Sequence, residues 1–577
     1  MNAVELYQHW LTSPYVDEET KQELRSLHHN PKEVEDRFYK QVEFGTGGMR
    51  GILGAGTNRI NRYTIGRATQ GLADYLLSLG ADVARKGVVI AHDSRHQSAE
   101  LSLEAACILV ANGIRVYLFD SLRPTPELSF AVRELGAQAG IVVTASHNPS
   151  EYNGYKVYAE DGSQIVASTA DAIISAIAQV QDFSDVRRLS REAAEETGLL
   201  QWIGSEIDQA YVTRLAQMVL NPEHAGDLSI VYTPLHGAGN LLIQRVLRVT
   251  GFTQLHVVPQ QEQPDPNFST VRYPNPEERE AFALAIRLAR ETNADIIVGT
   301  DPDCDRVGAV VRNREGEYQV LTGNQTGALL LSYLLSEKAK RGLLPTNATM
   351  IKTIVTSSLG EAIATDYGVK TINTLTGFKY IAEQIRQFER TCDRQFAFGY
   401  EESYGYLADT FVREKDAVMA TLLICEMAAF YKAQGQTLYD ALQDLYQRYG
   451  YHLEALESRT LTGKDGVESI RSIMESWRNH PPLTIAGQQV KELRDYASRQ
   501  ALNLLTQERT PLTLPKENAL FFLLQDGSWF CLRPSGTEPK IKFYFAVQAD
   551  TEESAKEKLS NLRDEVMKRI DSIEVVT

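Results

Sequence analysis

The sequence has little of the material from which secreted, membrane-spanning or nucleic-acid-binding proteins are made. Its five cysteines, Cys107, Cys304, Cys392, Cys425 and Cys531, are scattered, odd in number and form no C-x-x-C pair. A disulfide framework is therefore not indicated, and the thiols read as reduced. No apolar run reaches the roughly 20 residues that a membrane span needs. The most apolar long stretch, Ala417 to Tyr431, is interrupted by Glu426 and reads as a buried helix. The opening MNAVELYQHWLTSPYVDEET has neither the basic segment nor the apolar core of a secretory signal, which gives the expectation of a cytoplasmic protein. No run of Lys and Arg offsets a net charge of −16; such a chain repels a phosphate backbone, and nucleic acid is not an expected partner. Low-complexity tracts are absent too, and 43% hydrophobic with 23% charged residues is an ordinary globular composition. An acidic chain that binds a small anion must gather its basic residues locally, so an Arg or Lys inside a glycine-rich loop carries information.

What is present is length and rhythm. At roughly 150 residues per domain, 577 residues make about four units. The first forty residues have helical spacing with mixed charge and read as a solvent-facing extension. From Gly87 an apolar run, GVVIAHDSR, is followed by the amphipathic SAELSLEAACILVANGI and the apolar RVYLFD, a β-α-β pattern. The pattern recurs from LSIVYTPLHGAG to LHVVP and from MIKTIVTSS to VKTI. The expected fold class is α/β: three serial α/β domains with parallel or mixed sheets, then a C-terminal α+β domain, around a central cleft. The expected boundaries are 1–205, 206–317, 318–450 and 451–577, with linkers near Asp182 to Gly204, Arg312 to Glu317 and Tyr449 to Ser458.

Four loops carry chemistry. The apolar Gly140-Ile-Val-Val runs into Thr-Ala-Ser-His-Asn-Pro149, which puts Ser146 at the carboxyl edge of a parallel sheet, where α/β proteins bind ligands, and exposed enough to act as a nucleophile. A Ser-His pair before proline is, by itself, equally the chemistry of a plain turn. After ADIIVGT comes Asp301-Pro-Asp-Cys-Asp-Arg306. Carboxylates at alternate positions of a tight loop converge into the all-oxygen site that a hard divalent cation needs, with magnesium the natural occupant; the alternative is a solvated acidic loop. The third loop, Tyr400-Glu-Glu-Ser-Tyr-Gly-Tyr406, offers acceptors and aromatic faces to sugar hydroxyls, as would a polar loop beside core aromatics. The fourth, Arg533-Pro-Ser-Gly-Thr-Glu-Pro-Lys540, combines open amides, hydroxyls and a guanidinium fork suited to phosphate, or is an ordinary hairpin turn.

In this order TASHNP, DPDCDR, the Glu-Glu-Ser loop and RPSGTEPK closely resemble the motifs of the alpha-D-phosphohexomutase superfamily, which includes phosphoglucomutases and phosphomannomutases. FGTGGMRG, Tyr-Asn-Gly-Tyr-Lys156 and Gly377-Phe-Lys379 fit as well, and the likeness extends over essentially the whole chain. Length and the GYEESYGY wording resemble the phosphoglucomutase-2 or phosphopentomutase-like branch with its bacterial phosphoglucomutases. The resemblance implies that Ser146 carries a phosphoryl group and, with Asp301, Asp303 and Asp305, binds Mg2+. It places Arg50, Lys156 and His147 beside the phosphoserine, Lys156 being the proton-transfer candidate because Arg stays charged. It assigns Arg306, Thr376, Gly377, Lys379, Glu401, Ser403 and Lys415 to substrate, and Arg533, Ser535, Gly536 and Thr537 to the phosphate that is not being transferred. The implied activity interconverts glucose 1-phosphate and glucose 6-phosphate with glucose 1,6-bisphosphate as activator and intermediate; pentose or mannose phosphates, or a non-catalytic phosphosugar sensor, are the alternatives. Two departures stand out: Tyr406 where many relatives have His, and Cys304 where Ala or Gly is common.

Overall fold

The computed structural model describes residues 1–574 except 46, 462 and 536–539. Two compact units divide the chain: Met1–Thr326 with Ala382–Arg390 and Ser403–Leu438, and Gly327–Ile381 with Thr391–Glu402 and Tyr439–Thr577.

The first unit contains two sheets. Strands β1 (Met49–Ile52), β2 (Val88–His92), β3 (Val116–Phe119), β4 (Ala139–Val143), β5 (Tyr152–Ala159) and β6 (Leu200–Ile203) order as β1-β5-β4-β2-β3-β6. The run β4-β2-β3-β6 is parallel, while β5 returns antiparallel to β4 with Lys156 opposite Val142. Every residue of β3 and β4 is buried, as expected where helices cover both faces and strands are continuously apolar. The second sheet orders β7 (Ser229–Thr233), β8 (Gln254–Val257), β9 (Ile296–Thr300), β10 (Val307–Arg312) and β11 (Tyr318–Val320) as β11-β10-β9-β7-β8. It is parallel on one side and antiparallel from β9 outward. The apolar segment expected to be a buried helix is one: Ala417–Ala433 packs on β9 and β10, and the Asp416 side chain caps it by accepting from the Met419 N–H at 2.8 Å.

In the second unit β12 (Ala348–Thr353), β13 (Lys370–Thr374) and β14 (Gln395–Tyr400) form a parallel arrangement β13-β12-β14. After the two-residue β15 (Tyr406–Leu407) of the first unit come β16 (Tyr451–Thr460), β17 (Thr484–Ile485), β18 (Gln488–Asp495), β19 (Gln500–Asn503), β20 (Arg509–Pro511), β21 (Leu520–Leu524), β22 (Trp529–Pro534) and β23 (Lys540–Ala549). These last eight pair antiparallel in the order β16-β23-β22-β21-β18-β19-β20, with β17 on β18. The helix Glu552–Glu574 packs across β16 and β23, and Trp477 meets the stacked rings of Phe522 and Phe530 edge-on.

Several expectations are corrected. The stretch 182–204 is not a linker: its end is β6, a strand of the first sheet. Residues 312–317 close the hairpin of β10 and β11, and 451–460 is the ten-residue strand β16. Polar side chains on one face of an antiparallel strand resemble a linker because only alternate positions are buried. The N-terminal extension is not merely solvent-facing either. Its helices Ala3–Thr12, Glu18–Ser26 and Pro31–Phe38 bury Tyr7, Trp10, Leu24, Val34 and Phe38 against Tyr63 and Phe183.

Candidate active site

Parallel strands deliver the reactive residues of the first unit at their carboxyl ends. β4 runs into Thr144-Ala145-Ser146, and β9 runs into Asp301. Ser146 has a left-handed backbone, φ 53°, uncommon for a residue with a Cβ. The strain is held by surroundings: the Ser146 N–H donates to Thr144 Oγ1 at 2.8 Å, and Thr144 Oγ1 donates to Asp93 Oδ2 at 2.6 Å. Ser146 Oγ donates to Asp301 Oδ2 at 2.9 Å and lies 3.1 Å from His147 Nδ1. The expectation of an exposed nucleophile is corrected here, since Ser146 is only 2% exposed; the loop folds inward because its carbonyls are claimed from behind.

Those carbonyls are claimed by Arg95, which the sequence reading passed over. Its Nη2 donates to Ser146 O at 2.6 Å and to Asn148 O, and its Nη1 to Pro149 O at 2.7 Å and Tyr152 O at 3.1 Å. The side chain is fully buried, 3.3 Å from Asp93 Oδ2, and its guanidinium lies over the Phe268 ring. Asp93 also accepts from the Ser98 hydroxyl at 2.8 Å and the Arg95 N–H at 3.0 Å. Burial raises the Asp93 carboxyl above its ordinary value, against the pull of Arg95. The signal was present in the Asp-x-Arg that ends GVVIAHDSR, at the strand edge next to β4.

Asp301, Asp303 and Asp305 are brought together, buried, with one oxygen of each within 4.8 Å of the others. Lys156 Nζ sits 2.8 Å from Asp303 Oδ2 and 3.7 Å from Asp305 Oδ2; Lys415 Nζ is 2.8 Å from Asp305 Oδ2. Arg306 Nε lies 3.8 Å from Asp305 Oδ1, so three cations face the three carboxylates. Burial raises the Asp301 carboxyl well above its usual range, reinforced by Asp303 and Asp305. Burial opposes ionisation of Asp303 as well, but Lys156, then Lys415, carry it below the ordinary range. Oδ1 of Asp303 and Oδ1 of Asp305 are buried without a hydrogen-bond partner. Buried carboxylate oxygens without a hydrogen-bond partner, converging from three aspartates, fit a hard divalent cation. Thr125, also missed in the sequence, fixes this loop: its N–H donates to Asp303 O at 2.9 Å and its hydroxyl to Asp303 Oδ2 at 3.1 Å.

Other expected residues fall around this centre. Arg50 donates to Asn148 Oδ1 at 2.8 Å, and Arg306 pairs with Glu277. Lys415 also lies 3.2 Å from Glu414 Oε1. Ser403 is half-buried, and the next residue, Tyr404, accepts the Val307 N–H through its carbonyl at 3.1 Å. Tyr406 is 1% exposed, its hydroxyl donating to Gly323 O at 3.4 Å, so this ring serves the core.

In the second unit, Glu401 is buried and its Oε1 accepts the Gly377 N–H at 2.9 Å, with Gly377 at φ 123°. Thr376 Oγ1 is buried without a partner, and Lys379 Nζ lies 5.2 Å from the Tyr380 ring centroid. Arg533 pairs with Glu517, and the Ser535 N–H donates to Lys540 O at 2.7 Å. Gly536 and Thr537 lie outside the described residues.

The phosphoglucomutase/phosphomannomutase family descriptions match in chain order: alpha/beta/alpha domain I over residues 41–183, domain II over 209–316, domain III over 322–449 and the C-terminal domain over 485–565. The chain belongs to the phosphoglucomutase/phosphomannomutase family. Among curated family members, a phosphoglucomutase of Staphylococcus aureus (strain MSSA476) is 38% identical over 541 residues, covering 93% of this chain and 95% of its own. A phosphoglucomutase/phosphomannomutase family protein from Burkholderia thailandensis has the same fold, with a TM-score of 0.67 at 19% identity over 93% of this chain and 98% of its own. The Aspergillus fumigatus N-acetylphosphoglucosamine mutase, solved with GlcNAc-6P and magnesium, aligns at a TM-score of 0.50 and 13% identity, over 91% of this chain and 96% of its own. The family match begins at residue 41, so the three N-terminal helices lie outside it.

Proposed function

We propose that the chain is a phosphoglucomutase, interconverting glucose 1-phosphate and glucose 6-phosphate through a phosphoserine at Ser146 and glucose 1,6-bisphosphate. The observation that carries this reading is the approach of Ser146 Oγ to within 2.9 Å of Asp301 Oδ2, in a pocket where Asp303 and Asp305 each keep a buried oxygen without a hydrogen bond. A nucleophile and a metal-type carboxylate cluster have no shared use in a protein that only binds a sugar phosphate. Extensive identity to curated phosphoglucomutases supports it further.

Asp301, Asp303 and Asp305, with the phosphoserine, would hold Mg2+. Bound there, the ion supplies charge neutralisation at the phosphoryl oxygens. In each half-reaction the bond between phosphorus and one oxygen breaks as a bond to another forms. When Ser146 gives up its group, a sugar hydroxyl attacks, loses its proton and keeps the phosphoryl group, while the departing serine oxygen takes up a proton. When Ser146 takes one back, its hydroxyl loses that proton and the departing sugar oxygen gains one. Lys156, close to the centre, is the residue to which we assign that proton in both directions. Arg50 and Arg306, always charged, and Lys415 stabilise negative charge at the transferring group, and His147 sits against the serine oxygen. Thr376, Gly377, Lys379, Glu401 and Ser403 would recognise the sugar, and Arg533, Ser535, Gly536 and Thr537 the idle phosphate. Among the described residues no helix is long and apolar enough to cross a membrane, in keeping with a small-molecule enzyme of the cytoplasm.

The test is a substrate panel. With Mg2+ and a trace of glucose 1,6-bisphosphate, phosphorus NMR should show glucose 1-phosphate converted with a higher kcat/KM than mannose 1-phosphate or ribose 1-phosphate. A pentose or mannose phosphate turned over faster would overturn the glucose reading. Binding without turnover of any of them would overturn the enzyme reading.

A further inference from the structure

Among the described residues Arg67 has no ion-pair partner, and it lines a cavity that includes neither Ser146 nor the three aspartates. It projects from the helix Arg62–Ser78, where it is half-buried. Its Nε donates to Val180 O at 2.8 Å and its Nη1 to Gln41 Oε1 at 3.1 Å, both neutral acceptors. Among the described residues no carboxylate lies within ion-pairing distance of it, whereas its helix neighbour Arg62 pairs with Glu104. Burial accordingly lowers the Arg67 guanidinium from its ordinary value with no charge offsetting it.

On one side of Arg67 lies a cavity of about 160 Å³ walled by Trp10, Tyr63, Val180 and Phe183. Trp10 comes from the extension that precedes the family match, and Tyr63 and Phe183 from the domain it covers. Trp10 meets Tyr63 edge-on at 5.1 Å and Phe183 at 5.4 Å, so the aromatic wall is fixed rather than collapsed. A second hollow of about 360 Å³, walled by Phe44, Met49 and Ile177, shares Arg67, Gln41 and Thr64. Asp182 borders the first cavity, but its carboxylate caps its own turn by accepting from the Ser184 N–H. His9, which also lines it, lies flat against Phe183.

We infer that this cavity is a binding site for a small organic monoanion, a carboxylate on a flat apolar body. One guanidinium presents a fork that two carboxylate oxygens match. The Nη1 bond to Gln41 is the one a ligand would replace, since that side chain is exposed. Aromatic walls take the apolar remainder, and the size admits a fragment rather than a drug-sized molecule. A phosphate dianion would need more donors than one half-engaged guanidinium provides.

The full chain would be tested by thermal unfolding and tryptophan fluorescence with benzoate, its neutral analogue benzamide, and inorganic phosphate, each up to about 10 mM. Benzoate should raise the Tm saturably, by about 1–3 °C at roughly tenfold its half-saturating concentration, and perturb Trp10 emission. Benzamide should do neither. Arg67→Gln should abolish the benzoate effect and Arg67→Lys weaken it, while both turn over glucose 1-phosphate at the wild-type rate, showing that they fold. Any phosphate shift should be the same in wild type and Arg67→Gln. An equal response to benzoate and benzamide, a benzoate response that survives Arg67→Gln, no response to benzoate at all, or a phosphate response lost with Arg67→Gln would each overturn the assignment.

Discussion

Arg95→Lys should disable the serine loop while preserving the charge. The native guanidinium reaches the carbonyls of Ser146, Asn148, Pro149 and Tyr152 from a fully buried position beside Asp93. An ammonium has three donors in a compact head and no planar fork. From the same site it can satisfy about half of those carbonyls. Each buried carbonyl left without a donor costs about 1–3 kcal/mol. Pro149 and Tyr152 are only half-buried, so the lower end applies to them and the total is about 2–4 kcal/mol. The loss falls on a loop whose central residue is held at φ 53°. Displacing the Ser146 oxygen by even about 1 Å is expected to lower turnover about 100-fold. Urea unfolding gives the stability change, amide exchange over residues 144–152 gives its location, and a coupled assay with glucose 1-phosphate gives kcat. A variant within about 0.5 kcal/mol of wild type, with unchanged exchange in that loop and unchanged kcat, would refute the reasoning.

Excess chelator should lower turnover at least about 100-fold and added Mg2+ should restore it; full activity in chelator would contradict the metal assignment of the three aspartates. Gly154→Ala should cost at least about 2 kcal/mol or prevent folding, because a Cβ there would lie 2.6 Å from Thr144 O and 2.7 Å from Met49 O; a soluble variant of wild-type Tm would count against this packing. His452 is buried, accepts from the Ser358 hydroxyl at 3.0 Å and donates to Tyr449 O at 3.2 Å, and burial lowers its pKa from 6.5. A depressed folded pKa means that this stability is present above pH 6.5 and lost as pH falls through the folded value. The urea midpoint should therefore drop on acidification below that pH more steeply for wild type than for His452→Gln, and parallel curves would contradict it.

The meeting of Ser146 with the three aspartates rests on two local patterns legible in the sequence: an apolar strand followed by a polar turn delivers Ser146, and alternate aspartates after another strand deliver Asp301, Asp303 and Asp305. What surrounds them was not legible, because it is assembled across long separations. Lys156 reaches Asp303 across 147 residues and Thr125 reaches it across 178; no periodicity or spacing encodes such a meeting. The resemblance implies proton transfer for Lys156 and substrate contact for Lys415; the structure places both amines within 2.8 Å of an aspartate oxygen. The inward turn of Ser146 depends on Arg95, whose role is invisible until the carbonyls it binds are placed. Tyr406, which stands where the resemblance implies His, is a core residue in the fold. The N-terminal helices looked solvent-facing because their charged positions outnumber the few, widely spaced aromatics that they bury.

The central claim is that Ser146 carries the phosphoryl group through the cycle. Enzyme stripped of phosphate should be inactive toward glucose 1-phosphate alone. Incubated with glucose 1,6-bisphosphate and Mg2+, it should gain the mass of one phosphoryl group, located at Ser146 by peptide mapping, and turnover should appear in proportion to that gain. Stripped enzyme that runs at full speed without the bisphosphate, or Ser146→Ala protein that acquires the same mass and activity, would contradict the account.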